Sequence, residues 1–174
     1  MTPSILRLSP LGLGLAAAIV FDLWRRRIPN AVSGLVLLFG FVVRFVDHGG
    51  FAVLQGLGAA ALVVAALYRP WLAGGIGGGD VKLAAATAAW FPFARLPWFA
   101  LSAALAGGLV ALVNLALAPS DARAEIRANL SLLVLRGEQP TVPSHRSKHR
   151  GVPYAVAIAG GAAAALFLDV WPRL

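Results

Sequence analysis

The sequence predicts an all-α fold, a polytopic membrane helix bundle of about six transmembrane helices with one polar cytoplasmic segment between the fifth and the sixth. Three observations predict it. Hydrophobic residues make up 59% of the 174-residue chain and charged residues 13%, with a mean hydropathy of +0.79, whereas soluble domains are roughly 45–50% apolar and about 25% charged. Apolar runs approaching the roughly 20 residues of a spanning helix recur along the chain, separated by short turns of Gly, Pro, aromatic and basic residues. Basic residues fall unevenly on alternate sides of those runs. A chain of this length is expected to form one membrane-embedded domain (1–174), with no large soluble domain beside it.

The first run, Ile5 to Val20, is apolar and short, but no small-residue cleavage site precedes Asp22, so a retained span is expected rather than a signal peptide. Arg25, Arg26 and Arg27 follow it and mark a cytoplasmic edge, and Pro29 ends one helix or begins the next. Ala31 to Val46 makes the second span, with Arg44 near its far end expected to reach the interface along its own aliphatic stem. After the turn Asp47-His48-Gly49-Gly50, a third span runs from Phe51 to about Leu67, and its small residues from Gly56 to Ala61 suit close helix packing in lipid. Tyr68-Arg69-Pro70-Trp71 closes it.

The glycine run Gly74 to Gly79 leads into Asp80 and a fourth apolar segment, Val81 to Phe91, barely half the usual length. Either the glycine stretch enters the membrane or this helix is shielded by protein. Pro92 to Trp98 is an interfacial turn and Phe99 to Leu117 a fifth span. Residues 119–150 form the polar segment. There Ser120 and Asp121 offer a helix start and Ile126, Leu130, Leu133 and Val134 share one face, so a helix lying on the membrane surface is expected rather than a partner-binding one, and Ser144 to Arg150 is a basic run suited to lipid head groups. Val152 to Val170 is the sixth span.

Orientation follows from the charges. Placing Arg25, Arg26, Arg27, Arg69, Lys82, Arg123, Arg127, Arg136, Arg146, Lys148 and Arg150 on the cytoplasmic side puts eleven of the fifteen basic residues there, as the positive-inside bias requires. Both termini then lie outside the cytoplasm. The net charge of +8 is explained by this bias, so nucleic-acid binding is not expected. With no cysteine and only His48, His145 and His149, no metal site and no cofactor are expected.

The same topology sets Asp22, at the cytoplasmic end of the first span, level with Asp80, at the cytoplasmic start of the fourth. Acids near hydrocarbon cost roughly 2.5–3.5 kcal/mol each on insertion scales and usually face protein or water where they work. Two carboxyls at one depth can share a proton, the arrangement with which an aspartic peptidase activates water and protonates a scissile carbonyl. Glycines before Asp80 would let an extended peptide approach it. Taken singly, each acid has a plainer reading, Asp22 as an interfacial partner of Arg25 or Arg26 and Asp80 as a helix N-cap. The glycine pattern fails both the dinucleotide and the P-loop fingerprints.

Asp22 with Ile28-Pro29-Asn30, Gly77-Gly78-Gly79-Asp80-Val81-Lys82-Leu83, and Pro153-Tyr154-Ala155 through Gly161 together resemble the type IV prepilin peptidases, most closely the short forms of Flp-type pilus and tight-adherence systems. The resemblance runs over nearly the whole chain. Its GxGD element also occurs in presenilin-like and signal-peptide-peptidase-like intramembrane proteases. It implies that Asp22 and Asp80 are the catalytic pair, with Gly77, Gly79, Lys82, Pro29 and Asn30 supporting them. The implied activity is removal of the basic leader of prepilins or pseudopilins at the cytoplasmic face of the bacterial inner membrane. Ala155 departs from the glycine frequent after Pro-Tyr, outside the acid motifs. Larger members carry a cysteine-bearing N-terminal segment and also methylate the new pilin terminus; for this cysteine-free chain, cleavage without methylation is expected. Two other classes compete. A small proton-coupled transporter would need acids continuing across the membrane, and Asp47, Asp121, Glu125, Glu138 and Asp169 all fall in loops or at ends. A non-catalytic subunit of a secretion machine would keep its function without the acids.

Overall fold

The structure is a computed structural model that describes residues 5–117, 120, 123 and 154–170. The described elements are α1 (Ile5–Arg25), α2 (Asn30–His48), α3 (Gly50–Leu72), α4 (Gly78–Ala88), a 3-10 turn (Phe93–Arg95), α5 (Leu96–Ala116) and α6 (Tyr154–Val170). No strand occurs among the described residues. The expected surface helix and basic run within 119–150 lie outside them, apart from Ser120 and Arg123.

The all-α expectation holds, and four stretches, within α1, α2, α3 and residues 93–116, are long and apolar enough to cross a membrane. The other two expected spans are shorter. The apolar part of α6 is Tyr154–Phe167, and α4 has 11 residues, about 16 Å at a rise of about 1.5 Å per residue, against a hydrocarbon layer of about 30 Å. Helix α3 runs on through Pro70 to Leu72, past the expected end near Leu67. A proline in the last turn removes one backbone donor, a loss that helices in membrane proteins tolerate.

Met1–Gly107 with Pro153–Leu174 forms one compact unit, and Gly108–Val152 a second. In the second, the end of α5 exposes Leu109, Leu112 and Val113, and Asn114 Nδ2 donates to the Val110 carbonyl at 2.8 Å. In the first, α4 packs against α2, α3 and α6, and α1 against α2 and α6. The short helix is therefore shielded by protein, with Val81 and Leu83 to Ala88 all buried. Alanines along it allow close approach, which matters where lipid removes the hydrophobic drive between helices. At Gly161 a Cβ would lie 2.6 Å from the Ala103 backbone, so the crossing of α6 with α5 requires glycine.

Side chains are distributed as a lipid-facing bundle demands. On α2 the buried positions are Ser33, Val36, Gly40 and Arg44, three or four residues apart, while Leu35, Leu38, Phe39, Val42, Phe45 and Val46 are exposed. Small and polar groups face protein, and large apolar ones face outward. At the end of the bundle away from Asp22, Arg7 of α1 pairs with Asp47 of α2.

Arg44 corrects the expectation that it reaches the interface. It is 6% exposed, and its Nε donates to the Ala52 carbonyl at 2.8 Å, Nη2 to Gln55 Oε1 at 3.1 Å and Nη1 to the Trp90 carbonyl at 3.4 Å. The last contact sets a cation just past the C-terminus of α4, the negative end of that helix's dipole, while Trp90 Nε1 donates to the Val36 carbonyl at 2.9 Å. Arg44 thus ties α2 and α3 to the end of α4. Replacing Arg44 by Met takes the guanidinium donor from the Trp90 carbonyl and from Gln55 Oε1, at about 1–3 kcal/mol for a buried group left unpaired, so a loss of about 2 kcal/mol is expected, measured as a lower midpoint in denaturant-dependent unfolding in detergent. An unchanged midpoint would show that the hydrogen bonds only offset the desolvation of the guanidinium.

Candidate active site

Three local features bring the two acids to one place. Helix α1 ends just after Asp22, and the Arg26 N–H donates to the Asp22 carbonyl at 3.0 Å, with Arg26 at φ +52°. That left-handed turn costs a residue with a Cβ about 1–2 kcal/mol and swings the chain into Ile28-Pro29. Pro29 is extended at φ −61°, ψ 138° and precedes α2, its carbonyl accepting from Val32 N–H at 3.0 Å. On the other side, Gly74 at φ +74° and the Gly75 N–H bond to the Pro70 carbonyl, 2.9 Å, fold the glycine run back from α3.

The N-cap of α4 is Gly77, extended at φ −70°, ψ 143°. Asp80 is therefore the third residue of the helix rather than its cap. Its own N–H donates to the Gly77 carbonyl at 3.1 Å, and its carboxylate receives a backbone hydrogen bond from Gly77, the reciprocal pairing that closes many helix N-termini. A Cβ on Gly77 would lie 2.7 Å from Asp80 Oδ2. One on Gly79 would lie 3.3 Å from Ile28 Cβ and 3.5 Å from the Ile28 carbonyl. The space left by these glycines is thus filled from within the protein, by the Asp80 carboxylate and by the α1–α2 connection.

Asp22, Arg26, Arg27, Ile28, Gly77, Gly78, Gly79 and Asp80 line one open pocket of about 210 Å³. Asp22 is 8% exposed, and its Oδ2 accepts from the Ala155 N–H at 3.2 Å. The first turn of α6 therefore holds this carboxylate through the backbone of the residue that departs from glycine, and Ala155 itself is fully buried. Next to it, the Tyr154 hydroxyl donates to the Gly75 carbonyl at 3.4 Å. Of the remaining expected residues, Lys82 and Asn30 lie outside the pocket lining and meet each other, Lys82 Nζ donating to Asn30 Oδ1 at 2.9 Å. That bond joins α4 to the start of α2. Among the described residues no group of three or more His, Cys, Asp or Glu is placed to hold a metal ion.

Asp80 lies outside the four long apolar helices. Burial pushes its carboxyl up to about 6, the negative charge of Asp22 pushes in the same direction, and the Gly77 hydrogen bond opposes both. A pair in which one carboxyl keeps its proton into mildly acidic solution can offer an acid and a base together. The sign of the coupling is testable. In Asp22→Asn the Asp80 carboxyl loses the neighbouring charge, so its titration midpoint is expected to move down, while burial still holds it above the ordinary carboxylate range. Infrared titration of the carboxyl band measures this, and a midpoint that stays put or rises would separate the two groups electrostatically.

The sequence profile of the type IV leader peptidase family matches residues 11–112, more than half of the chain, a span that includes Asp22, the glycine run and Asp80. No curated protein and no solved structure matches the chain significantly.

Proposed function

Because the chain belongs to the type IV leader peptidase family, and is thus a membrane peptidase, we propose that it works by aspartic chemistry on the leaders of Flp-like prepilins or pseudopilins. The observation that carries this reading is the pocket shared by Asp22 of α1 and Asp80 of α4. In the proposed reaction Asp22 takes a proton from water as the water oxygen attacks the scissile carbonyl carbon, and Asp80 gives its proton to the carbonyl oxygen. Asp22 then passes its new proton to the amine nitrogen as the C–N bond breaks, and Asp80 recovers one from the hydroxyl. The pair ends as it began, with one proton. Asp80 suits the first acid role because burial and Asp22 both favour its protonated form. Asp22 suits the base role because Ala155 N–H fixes its orientation.

Gly77, Gly79, Lys82, Asn30 and Pro29 support this pair. Gly77 leaves room for the acid, Gly79 lets α4 lie against Ile28, and the Lys82–Asn30 bond with the Pro29 turn fixes the α1–α2 connection. The charge distribution supports an inner-membrane protein with this site at the cytoplasmic face and both termini outside the cytoplasm, which is where a leader preceding a pilin's hydrophobic helix would be cut. Co-expression with a candidate prepilin tests the proposal. Precursor should convert to mature product, with an unmethylated N-terminus by mass spectrometry, only when this chain is present; precursor that stays intact beside properly inserted enzyme would overturn it.

A further inference from the structure

Helix α4 carries Asp80 on a body with little surface relief. Beyond Leu83 its buried positions are Ala84, Ala85, Ala86, Thr87 and Ala88, and Thr87 turns its hydroxyl to the Leu83 carbonyl of the same helix. The neighbours α2 and α3 also bury mostly small residues, Ser33, Val36 and Gly40 on one, Ala52, Gly56 and Ala59 on the other. Small faces approach closely but interlock weakly, because the ridges that fix helix packing are made by larger side chains. Lipid adds no hydrophobic drive between helices that would favour one register over another. The axial position of α4 therefore depends on a few directional contacts. At its start Lys82 meets Asn30.

At its end the contacts converge on Trp90, whose backbone N–H continues the last turn by donating to the Thr87 carbonyl at 3.1 Å. The buried indole occupies the place of a missing side chain on α2: a Cβ on Gly40 would lie 2.8 Å from Nε1 and 3.0 Å from Cδ1. Seated there, Nε1 donates to the Val36 carbonyl at 2.9 Å, while the Trp90 carbonyl accepts from Arg44. Three successive turns of α2 thus hold one residue, and a slide of α4 along its axis disturbs all three contacts. We propose that Trp90, seated by Gly40 and Arg44, is a positioning residue for the reaction: it fixes where α4 ends and so how Asp80 stands against Asp22. The inference rests on the aspartic peptidase reading. Asp80 and Trp90 are ten residues apart in sequence, about 15 Å at about 1.5 Å per residue, too far for Trp90 to touch the reacting groups. A helix transmits an axial slide along its length, so a shift at Trp90 reaches Asp80 with similar size. Asp22 is held separately, by the Ala155 N–H at the start of α6. A misplacement of about 1 Å costs on the order of 10²-fold in rate even when the change lies far from the chemistry.

The test uses the full-length chain in detergent with a prepilin that it cuts, at a temperature well below the unfolding midpoint of every variant. Trp90→Phe removes the indole donor and keeps an aromatic ring. Gly40→Ala keeps every hydrogen-bonding group and suits helix α2, but pushes the indole from its seat. Each is expected to lower kcat about tenfold with KM within about twofold of wild type. Arg7→Gln is the control for loosening the same end of the bundle. It breaks the ion pair of α1 with α2 at Asp47, which does not involve α4, so its kcat should stay at the wild-type value. A wild-type kcat in both Trp90→Phe and Gly40→Ala overturns the positioning role. So do losses that fall on KM alone, or an equal loss of kcat in Arg7→Gln, either of which would leave Trp90 as a general stabiliser of the bundle. Absence of any cleavage by wild type overturns the peptidase reading instead, and the positioning role with it.

Discussion

Asp22→Asn and Asp80→Asn are each expected to leave prepilin uncut, with the full-length variant still recovered from the membrane fraction. Asparagine has nearly the shape of aspartate but cannot exchange a proton, so each change removes one half of an acid–base pair worth roughly 10²–10⁴-fold by itself. The fold should tolerate both. In Asp22→Asn the amide oxygen can still accept from Ala155 N–H, and in Asp80→Asn it can still accept the backbone hydrogen bond of Gly77. The double variant should be no worse than either single one, because groups that act as a unit lose their contribution together. Precursor and product separate on one gel. Normal processing by either single variant would remove that acid from the mechanism and return it to its plainer reading, an interfacial partner for Asp22 or a helix-terminal acid for Asp80.

Much of the fold was legible because the bilayer writes long signals into a sequence. Helices α1, α2, α3 and α5 appear as apolar runs, and the brevity of α4 was visible in the distance from Asp80 to Pro92. The charge count also led to the pairing of Asp22 with Asp80, and the two acids do line one pocket. What escaped were interactions whose partners are backbone groups. Nothing in the sequence marks the Ala155 N–H as the donor to Asp22, and the Ala155 departure looked remote from the acids because only side chains were in view. Arg44 likewise resembled an interfacial cation near the end of an apolar run, yet two of its three partners are the carbonyls of Ala52 and Trp90. The left-handed turn at Arg26 was hidden for another reason. A positive φ at a non-glycine residue is imposed by tertiary context, so Arg25 and Arg26 could not be told apart by composition or spacing.

Gly77→Ala is expected to damage activity strongly and stability only mildly. The added Cβ would lie 2.7 Å from Asp80 Oδ2, too close for either atom to stay. The atom that gives way most easily is the carboxylate oxygen, at the end of a rotatable side chain. Helix α4 and its contacts can therefore survive, since Gly77 is extended at φ −70°, a conformation open to alanine. The cost falls on the reaction, because a carboxyl displaced by about 1 Å loses on the order of 10²-fold in rate. The loss should appear in kcat more than in KM, with the unfolding midpoint changing little. Gly34→Ala is the matched control, since a Cβ there meets nothing within 4 Å, and on helix α2 it should leave cleavage unchanged. Gly79→Ala should fall between them, because its Cβ meets Ile28 Cβ at 3.3 Å and asks the α1–α2 connection to yield a few tenths of an ångström. If Gly77→Ala cut prepilin as fast as wild type, Asp80 would have to act from a position other than the one its glycine makes room for.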